Sequence, residues 1–450
     1  MALTDFTIIR RSMFTRLFST ITTVATVAVA VALMLVLLSM RDSGQQAFER
    51  GAGNAHLLVS RDGSAMESIL NGLYYAKPPQ APITWKEYEQ FASRFPFEWA
   101  VPMQQGDSYR GYPTLATTPE FFSAFRPATD QPWELASGEY FTKEFEVVVG
   151  SVAAKGAGIR LNDRLVLTHG AGATTASVGG GAGAAPAPHV HDEFKMKVVG
   201  ILKATGTSHD RAIFMNLNTS WILHAFDRRE RAEIAEGTAH AHDEHEHDHD
   251  EPPMSAGDLT DEDRLITGIL VRVAARPGKD ATALLPSVFD TLRRDKSITV
   301  AAPSDQVRKL FQIVGGINQI LIAIAAAVVV SSGIAIMLAL YNSMEQRRRQ
   351  VAILRVLGCS QSRVFGLVLT ESALIGVLGV LAGALLSVLA GFVIAEMLRA
   401  RIGMVVQPAY ALEWVLPVCI GTIALACLAG LAPAMMAYRT SVATHLKPVT

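Results

Sequence analysis

Cysteine is almost missing from this sequence. Of 450 residues only three are cysteines, and Cys359, Cys419 and Cys427 all fall near the C-terminal end. Residues 41–310 contain none, so no disulfide framework supports that stretch. It is nevertheless long enough to fold around a hydrophobic core of its own. Charge is sparse as well: 18% of residues are charged and the formal net charge is −1. That leaves no basic surplus of the kind that marks nucleic-acid binding, and no nucleic-acid partner is expected. Two catalytic signatures are also missing. There is no G-x-x-x-x-G-K-[ST] phosphate loop, so the chain does not hydrolyse ATP by that route. There is no G-x-S-x-G elbow either. Ser208-His209-Asp210 has the residue types of a hydrolase triad, but triad members meet in space from separate segments. It reads as a turn before a strand at Ala212–Asn216.

What is abundant is apolar sequence, 50% of the chain. Spanning a bilayer takes about 20 consecutive apolar residues. Four runs qualify: Leu17–Leu38, Ile317–Leu340, Val364–Ala395 and Leu412–Met436. The third exceeds what a span requires and should tilt or project. The first is longer than a signal-peptide core, and Met40-Arg41 does not resemble a small-residue cleavage site, so it reads as an uncleaved anchor. Basic residues in short flanks set orientation. Arg10, Arg11 and Arg16 precede the first run, and Arg347, Arg348, Arg349, Arg355 and Arg363 lie between the second and third. The connector 396–411 has only Arg399 and Arg401.

The expected class is therefore a membrane protein with four transmembrane α-helices and a large extracytoplasmic α+β domain between the first and second. The layout is a cytoplasmic N-terminus 1–16, helix 17–40, external domain 41–310 and stalk plus helix 311–341. A cytoplasmic coupling helix 342–363, helix 364–395, external connector 396–411, helix 412–437 and cytoplasmic tail 438–450 follow. Tyr341 and Tyr438 should lie at the inner membrane edge, Tyr410 and Trp414 at the outer one.

Strand runs in the external domain are His56–Ser60, Glu146–Gly150, Arg164–Thr168, Phe194–Leu202, Arg211–Asn216 and Thr267–Val273. Thr84-Trp-Lys-Glu87 is a capping box, Thr118-Pro119-Glu120 places proline at a helix start, and Lys279–Arg294 is an amphipathic candidate. Two insertions, 170–193 and 237–256, interrupt this pattern. The first is glycine- and alanine-rich, with the composition of a flexible linker, and ends in His189-Val-His191. The second contains AHAHDEHEHDHDE at 239–251.

Between the second and third runs lies EQRRRQVAILRVLGCSQSRV, residues 345–364. Glu345 and Arg349 are spaced for an i,i+4 pair, Val351, Ile353, Leu354, Val356 and Leu357 give a short apolar face, and Gly358 is a natural stop. Such a helix can rest on anionic lipid or dock into a partner. The E-x-R-R-x-x-x-A-I-L-R-x-L-G-C-S pattern at 345–360 resembles the MacB/FtsX-type (type VII) ABC transporter permeases, which include the lipoprotein-releasing permeases. The ending Ala432-Pro433-Ala434…Tyr438-Arg439…Leu446-Lys447-Pro448 is similar to that family too, as are VVVGSVAAKGAGIRLNDRLVLT (147–168) and VVGILKATGTSHDRAIFMNL (198–217).

The resemblance implies a permease subunit in the bacterial inner membrane, with both termini cytoplasmic and the large domain periplasmic. It implies a separate cytoplasmic ABC ATPase, a second permease copy or paralogue in a dimer, and an extracytoplasmic adaptor or substrate-carrying protein. The chain itself would not be an enzyme. Glu345, Arg347, Arg348, Arg349, Ile353, Leu354, Arg355, Leu357 and Gly358 would couple it to the ATPase. Closure of the ATPase would travel up the second helix, with Ser304-Asp305 capping its stalk and Gly315-Gly316 offering a flexure point. Gly379-x-x-x-Gly383 allows close helix approach, within the chain or between copies. Glu371 faces other helices or the inner interface, a proton relay being the alternative. A metal-sensing or signalling subunit regulating an external partner is the competing function.

The histidine-rich tract belongs to no pattern of that family. Outside the membrane, His240, His242, His245, His247 and His249 can offer imidazoles to a divalent metal, with neighbouring carboxylates completing the shell. His189 and His191 join them if the two insertions meet. Zinc is the first expectation, copper or nickel the competitors. A solvated acidic loop whose histidines gain charge near pH 6 is the alternative.

Overall fold

The computed structural model describes residues 5–79, 81–129, 131–169, 189–190, 193–235, 254–275, 283–356, 358–402 and 406–439. It divides into two compact units: Met1–Gly44 with Ile313–Glu396 and Gln407–Thr450, and Gln45–Gln312 with Met397–Val406.

The first unit holds helices long and apolar enough to cross a membrane. The described residues contain four, at Leu17–Gly51, Pro303–Glu345, Gln361–Leu398 and Leu412–Arg439. The second belongs to one uninterrupted helix, Pro303–Val356, of 54 residues. At 1.5 Å per residue it is about 80 Å long. The helix continues through Gly315-Gly316, because glycine lowers helix propensity without removing a backbone donor. One expectation is corrected at the start of this helix. Its first residue is Pro303 rather than one following a Ser304 or Asp305 cap; proline suits that position because the N–H it lacks would be unpaired there. Gly358, at φ +94°, ends the segment, where a side chain would be strained.

The α+β unit is organised by a mixed sheet. Its strand order is Thr299–Ala301, Leu57–Ser60, Gly268–Val273, Phe97–Gln104, Tyr112–Thr117, Ile213–Asn216, Glu146–Val149, Met196–Leu202 and Leu135–Gly138. Tyr112–Thr117 runs parallel to Ile213–Asn216, and Glu146–Val149 parallel to Met196–Leu202. Successive residues enter opposite cores, as the pleat requires. Val147, Val149, Ile213 and Met215 join the cluster containing Trp221, Ile222 and Leu223 of helix Leu217–Ala235. Val148 and Phe214 join Ile69, Leu73, Phe121 and Phe125 on the other side. Both faces are covered, which explains why these strands read as unbroken apolar runs rather than alternating ones.

The capping box forms as expected: Thr84 Oγ1 accepts from Glu87 N at 3.3 Å, and Thr84 N donates to Glu87 Oε2 at 2.9 Å. Three other expectations shift. Arg164–Thr168 is two short strands, Arg164–Leu165 and Thr168–His169, with different partners. The helix after Thr118-Pro119 starts only at Phe121, behind a turn in which Phe121 N donates to Thr118 O. In Lys279–Arg294 the described helix is Leu285–Arg293.

Candidate functional site

Among the described residues, two places bring together chemistry or contacts of functional interest. The first is the end of the long helix. Val351 and Met344 are buried there against Val364 and Val368 of the next helix and Ala434 and Ala437 of the last, and Ala352 is buried too. Ile353 and Val356 point away, 45% and 61% exposed. The segment therefore has one apolar side packed within the chain and a second left open. Glu345 is exposed and Arg355 half-buried. Arg347, Arg348, Arg349 and Leu354 lie on the helix, but their side chains are outside the described residues, as is Leu357 entirely.

Around this end the unit is tightly knit. Ser12 Oγ donates to Glu371 Oε1 at 2.9 Å, so that carboxylate faces another helix. Arg16 Nη2 donates to the carbonyl of Ser343 at 2.8 Å. Gly379 and Gly383 lie against the first spanning helix. A Cβ on Gly379 would meet Val27 Cγ1 at 2.4 Å, and one on Gly383 would meet Val31 Cβ at 2.7 Å. Within one chain, then, the small-residue face is already used.

The second place lies in the α+β unit and was not found from sequence. Asp107–Tyr109 folds back on Tyr112–Thr117 through Arg110 (φ +50°) and Gly111 (φ +81°), a two-residue turn with both centres left-handed. Thr168–His169 adds to this ribbon on its other edge, with His169 directly opposite Asp107, and His189–Val190 adds beyond, with His189 opposite His169. Helix Leu217–Ala235 brings His224 to the same point. His169 Nδ1 lies 2.8 Å from Asp107 Oδ1, and His224 Nε2 lies 3.3 Å from it. One ligand atom from each residue falls within 4.8 Å of the others. The Asp107 side chain is 1% exposed, those of His224 and His169 19% and 39%. Nothing in the spacing announces this trio. The signal was only the residue types, on three elements separated in sequence.

His240, His242, His245, His247, His249 and His191 lie outside the described residues, as does the side chain of His189; only the backbone of His189 is placed. Ser208-His209-Asp210 is a 3-10 turn, and its side chains take three unrelated partners. Ser208 Oγ donates to Leu73 O at 2.6 Å, His209 Nδ1 lies 2.8 Å from Tyr75 Oη, and Asp210 accepts from Thr205 N and Gly206 N. Burial lowers the pKa of His209 from 6.5 to about 4, and the backbone of Gly51 opposes this only in part.

Residues 20–284 match the family model of the MacB-like periplasmic core domain, and residues 322–442 that of the FtsX-like permease C-terminal region. The chain is 24% identical over 436 residues to a macrolide export ATP-binding/permease protein, MacB, of Nitrobacter winogradskyi, covering 95% of this chain and 56% of that protein. It thus spans about half the length of the curated relative it matches. Among solved structures it is similar to the extracellular domain of the noncanonic ABC-type transporter YknZ from Gram-positive bacteria. That similarity has 12% identity and a TM-score of 0.25, over 55% of this chain and 99% of the other.

Proposed function

Since the chain belongs to the MacB/FtsX-type permeases of ABC transporters, we propose that it couples ATP hydrolysis by a separate cytoplasmic ATPase to movement of its α+β unit on the outer side of the membrane. The observation that carries this reading is the open apolar side of the long helix's end. Ile353 and Val356 are exposed just beyond three consecutive arginines, on a helix that continues without a break from Pro303. A helix end meant only to close a bundle would bury both sides. This one buries Val351 and Ala352 and offers the other side to a partner.

The same helix is the mechanical element. A continuous helix transmits displacement along its axis because its hydrogen bonds run along that axis and allow gentle curvature without a sharp kink. The arginine asymmetry supports cytoplasmic termini and an extracytoplasmic α+β unit. The working assembly is a pair of permeases with their ATPases, acting on a substrate at the outer side rather than drawing it through a central channel.

Replacing both Ile353 and Val356 by Asp tests the docking surface, as does reversing Arg348 and Arg349 to Glu. The aspartate pair sits at exposed positions, so membrane insertion and detergent-extracted yield should match wild type. Co-purification of the ATPase should fall at least about tenfold, the equivalent of about 1.4 kcal/mol. Retention at wild-type levels in both variants would leave the segment as a lipid-surface helix and remove the basis for the coupling role.

A further inference from the structure

We propose that Asp107, His169 and His224 form a binding site for a divalent transition-metal ion of the zinc class. The reading does not depend on the permease function and is separate from the histidine-rich tract. It rests on convergence. A ribbon strand, a second short strand and the helix Leu217–Ala235 each deliver one donor to the same point, with ligand atoms within 4.8 Å of one another. Tetrahedral zinc with bonds of about 2.0–2.2 Å places its donors about 3.4 Å apart. Two of the three separations, 2.8 and 3.3 Å, are already at or below that value. The rings of His169 and His224 stand 5.0 Å apart and are tilted 76° to one another, so both lie beside the same carboxylate without stacking.

The donor set selects the ion. Two imidazoles and one carboxylate are too nitrogen-rich for calcium or magnesium, which take oxygen ligands. The α+β unit has no cysteine, so the thiolates that favour copper(I) are missing. Zinc accepts this set, and three protein ligands leave a fourth position for water or an exchangeable group. Burial grades in the sense an entry route needs. The carboxylate is enclosed at 1% exposure, whereas the His169 side chain, at 39%, opens to solvent. Both imidazoles lie at hydrogen-bond distance of the carboxylate, and a metal would take them as neutral ligands. Three protein ligands with an exchangeable fourth position suit reversible capture of the ion better than the closed four-ligand shell of a permanent structural site.

The test uses the full chain in detergent, first stripped of metal, with residues 239–251 deleted so that the tract cannot bind. Zinc alone is titrated calorimetrically, and cobalt(II) alone is followed by its visible d–d absorption. The deleted chain should bind about one zinc per chain and develop the cobalt bands. His224→Ala and Asp107→Asn in that background should weaken zinc by more than the roughly 10–100-fold that loss of an outer partner costs, and should lose the bands. His169→Ala, at the most exposed of the three positions, should do the same, and it decides the question if a substitution at a more buried position unfolds the unit. Zinc should also raise the unfolding midpoint of the deleted chain and not that of the variants. Zinc binding in the deleted chain that His169→Ala leaves unchanged, or no zinc binding once the tract is removed, would overturn the site and leave a carboxylate–imidazole hydrogen-bond cluster.

Discussion

Acidification from pH 7 to pH 4 should destabilise the α+β unit by up to about 3 kcal/mol through one residue, His209. Its ring is enclosed by Phe125, Trp133 and Tyr75, with centroids 5.3, 5.8 and 5.8 Å away, and desolvation outweighs the opposing Gly51 backbone contact. The folded-state pKa is lowered to about 4 against 6.5 for the free side chain. Between those values the unfolded chain binds a proton that the native unit does not, so stability rises with pH across the window. The contribution is fully present above pH 6.5, declines as pH falls through the window, and is gone below about 4. Each unit of separation is worth about 1.4 kcal/mol, which sets the magnitude. His56, also lowered by burial and by Arg272, adds a slope of the same sign. Four of the five tryptophans, Trp85, Trp99, Trp133 and Trp221, report from this unit. Fluorescence-detected urea unfolding at pH 7, 5.5 and 4 should show the midpoint falling with pH. His209→Asn, which keeps an acceptor near Tyr75 Oη, should flatten the part of that slope due to His209. An identical slope in wild type and variant would show that His209 is not the group responsible.

In the membrane unit, the largest effect is expected at Gly379 and Gly383. Val27 and Val31, both fully buried, fill the space where side chains on those glycines would stand, and Ala28 O lies 2.8 Å from the Gly383 Cβ position. Neither the valines nor the backbone can retreat without disturbing the first helix. Gly379→Leu and Gly383→Leu should each cost about 1–3 kcal/mol, the usual price of overpacking a filled core. Gly366 and Gly421 supply controls, since nothing lies within 4 Å of a Cβ built on either. Thermal unfolding of the full chain in detergent should fall for the first pair of variants and hold for Gly366→Leu and Gly421→Leu. Equal behaviour of all four would mean that the packing on the first helix is wrong.

Much of this architecture is legible in the sequence because its causes are local. Four apolar runs are long enough to span, and a run of that length needs no tertiary context to be recognised. Thr84 and Glu87 form their reciprocal cap because both partners lie within one turn. Strands such as Glu146–Val149 show as β-branched runs because both sheet faces are covered. Phe97–Gln104 does not read as a strand, because Pro102 interrupts it and proline argues against an interior strand. Its tolerance has a geometric cause. Pro102 O accepts from Thr117 Oγ1, so the side lacking an N–H faces Tyr112–Thr117, which pairs with this strand only at Met103 and Gln104.

The candidate metal site was illegible for the opposite reason. Asp107 and His224 are 117 positions apart, and their meeting depends on the ribbon turn, the sheet order and the seating of helix Leu217–Ala235 together. The histidines at 240–249 are conspicuous because they cluster within ten positions, which says nothing about a fixed coordination geometry. The segment 345–358 stands between these cases. Its charge pattern and its stop at Gly358 could be read directly. That Val351 and Ala352 face inward while Ile353 and Val356 face outward required the neighbouring helices.

Hydrogen exchange of the α+β unit, with the permease and its ATPase reconstituted together in lipid nanodiscs, tests the coupling claim most directly. Exchange is compared without nucleotide, with ATP and magnesium, and with ATP plus vanadate to hold the ATPase closed. Peptides from Pro303 to Gln312 and from the strands Thr299–Ala301 and Leu57–Ser60 should change protection when nucleotide is added. The change should vanish in the chain carrying Ile353→Asp and Val356→Asp. Protection that is the same in all three nucleotide states, with the ATPase demonstrably bound and hydrolysing, would contradict the account.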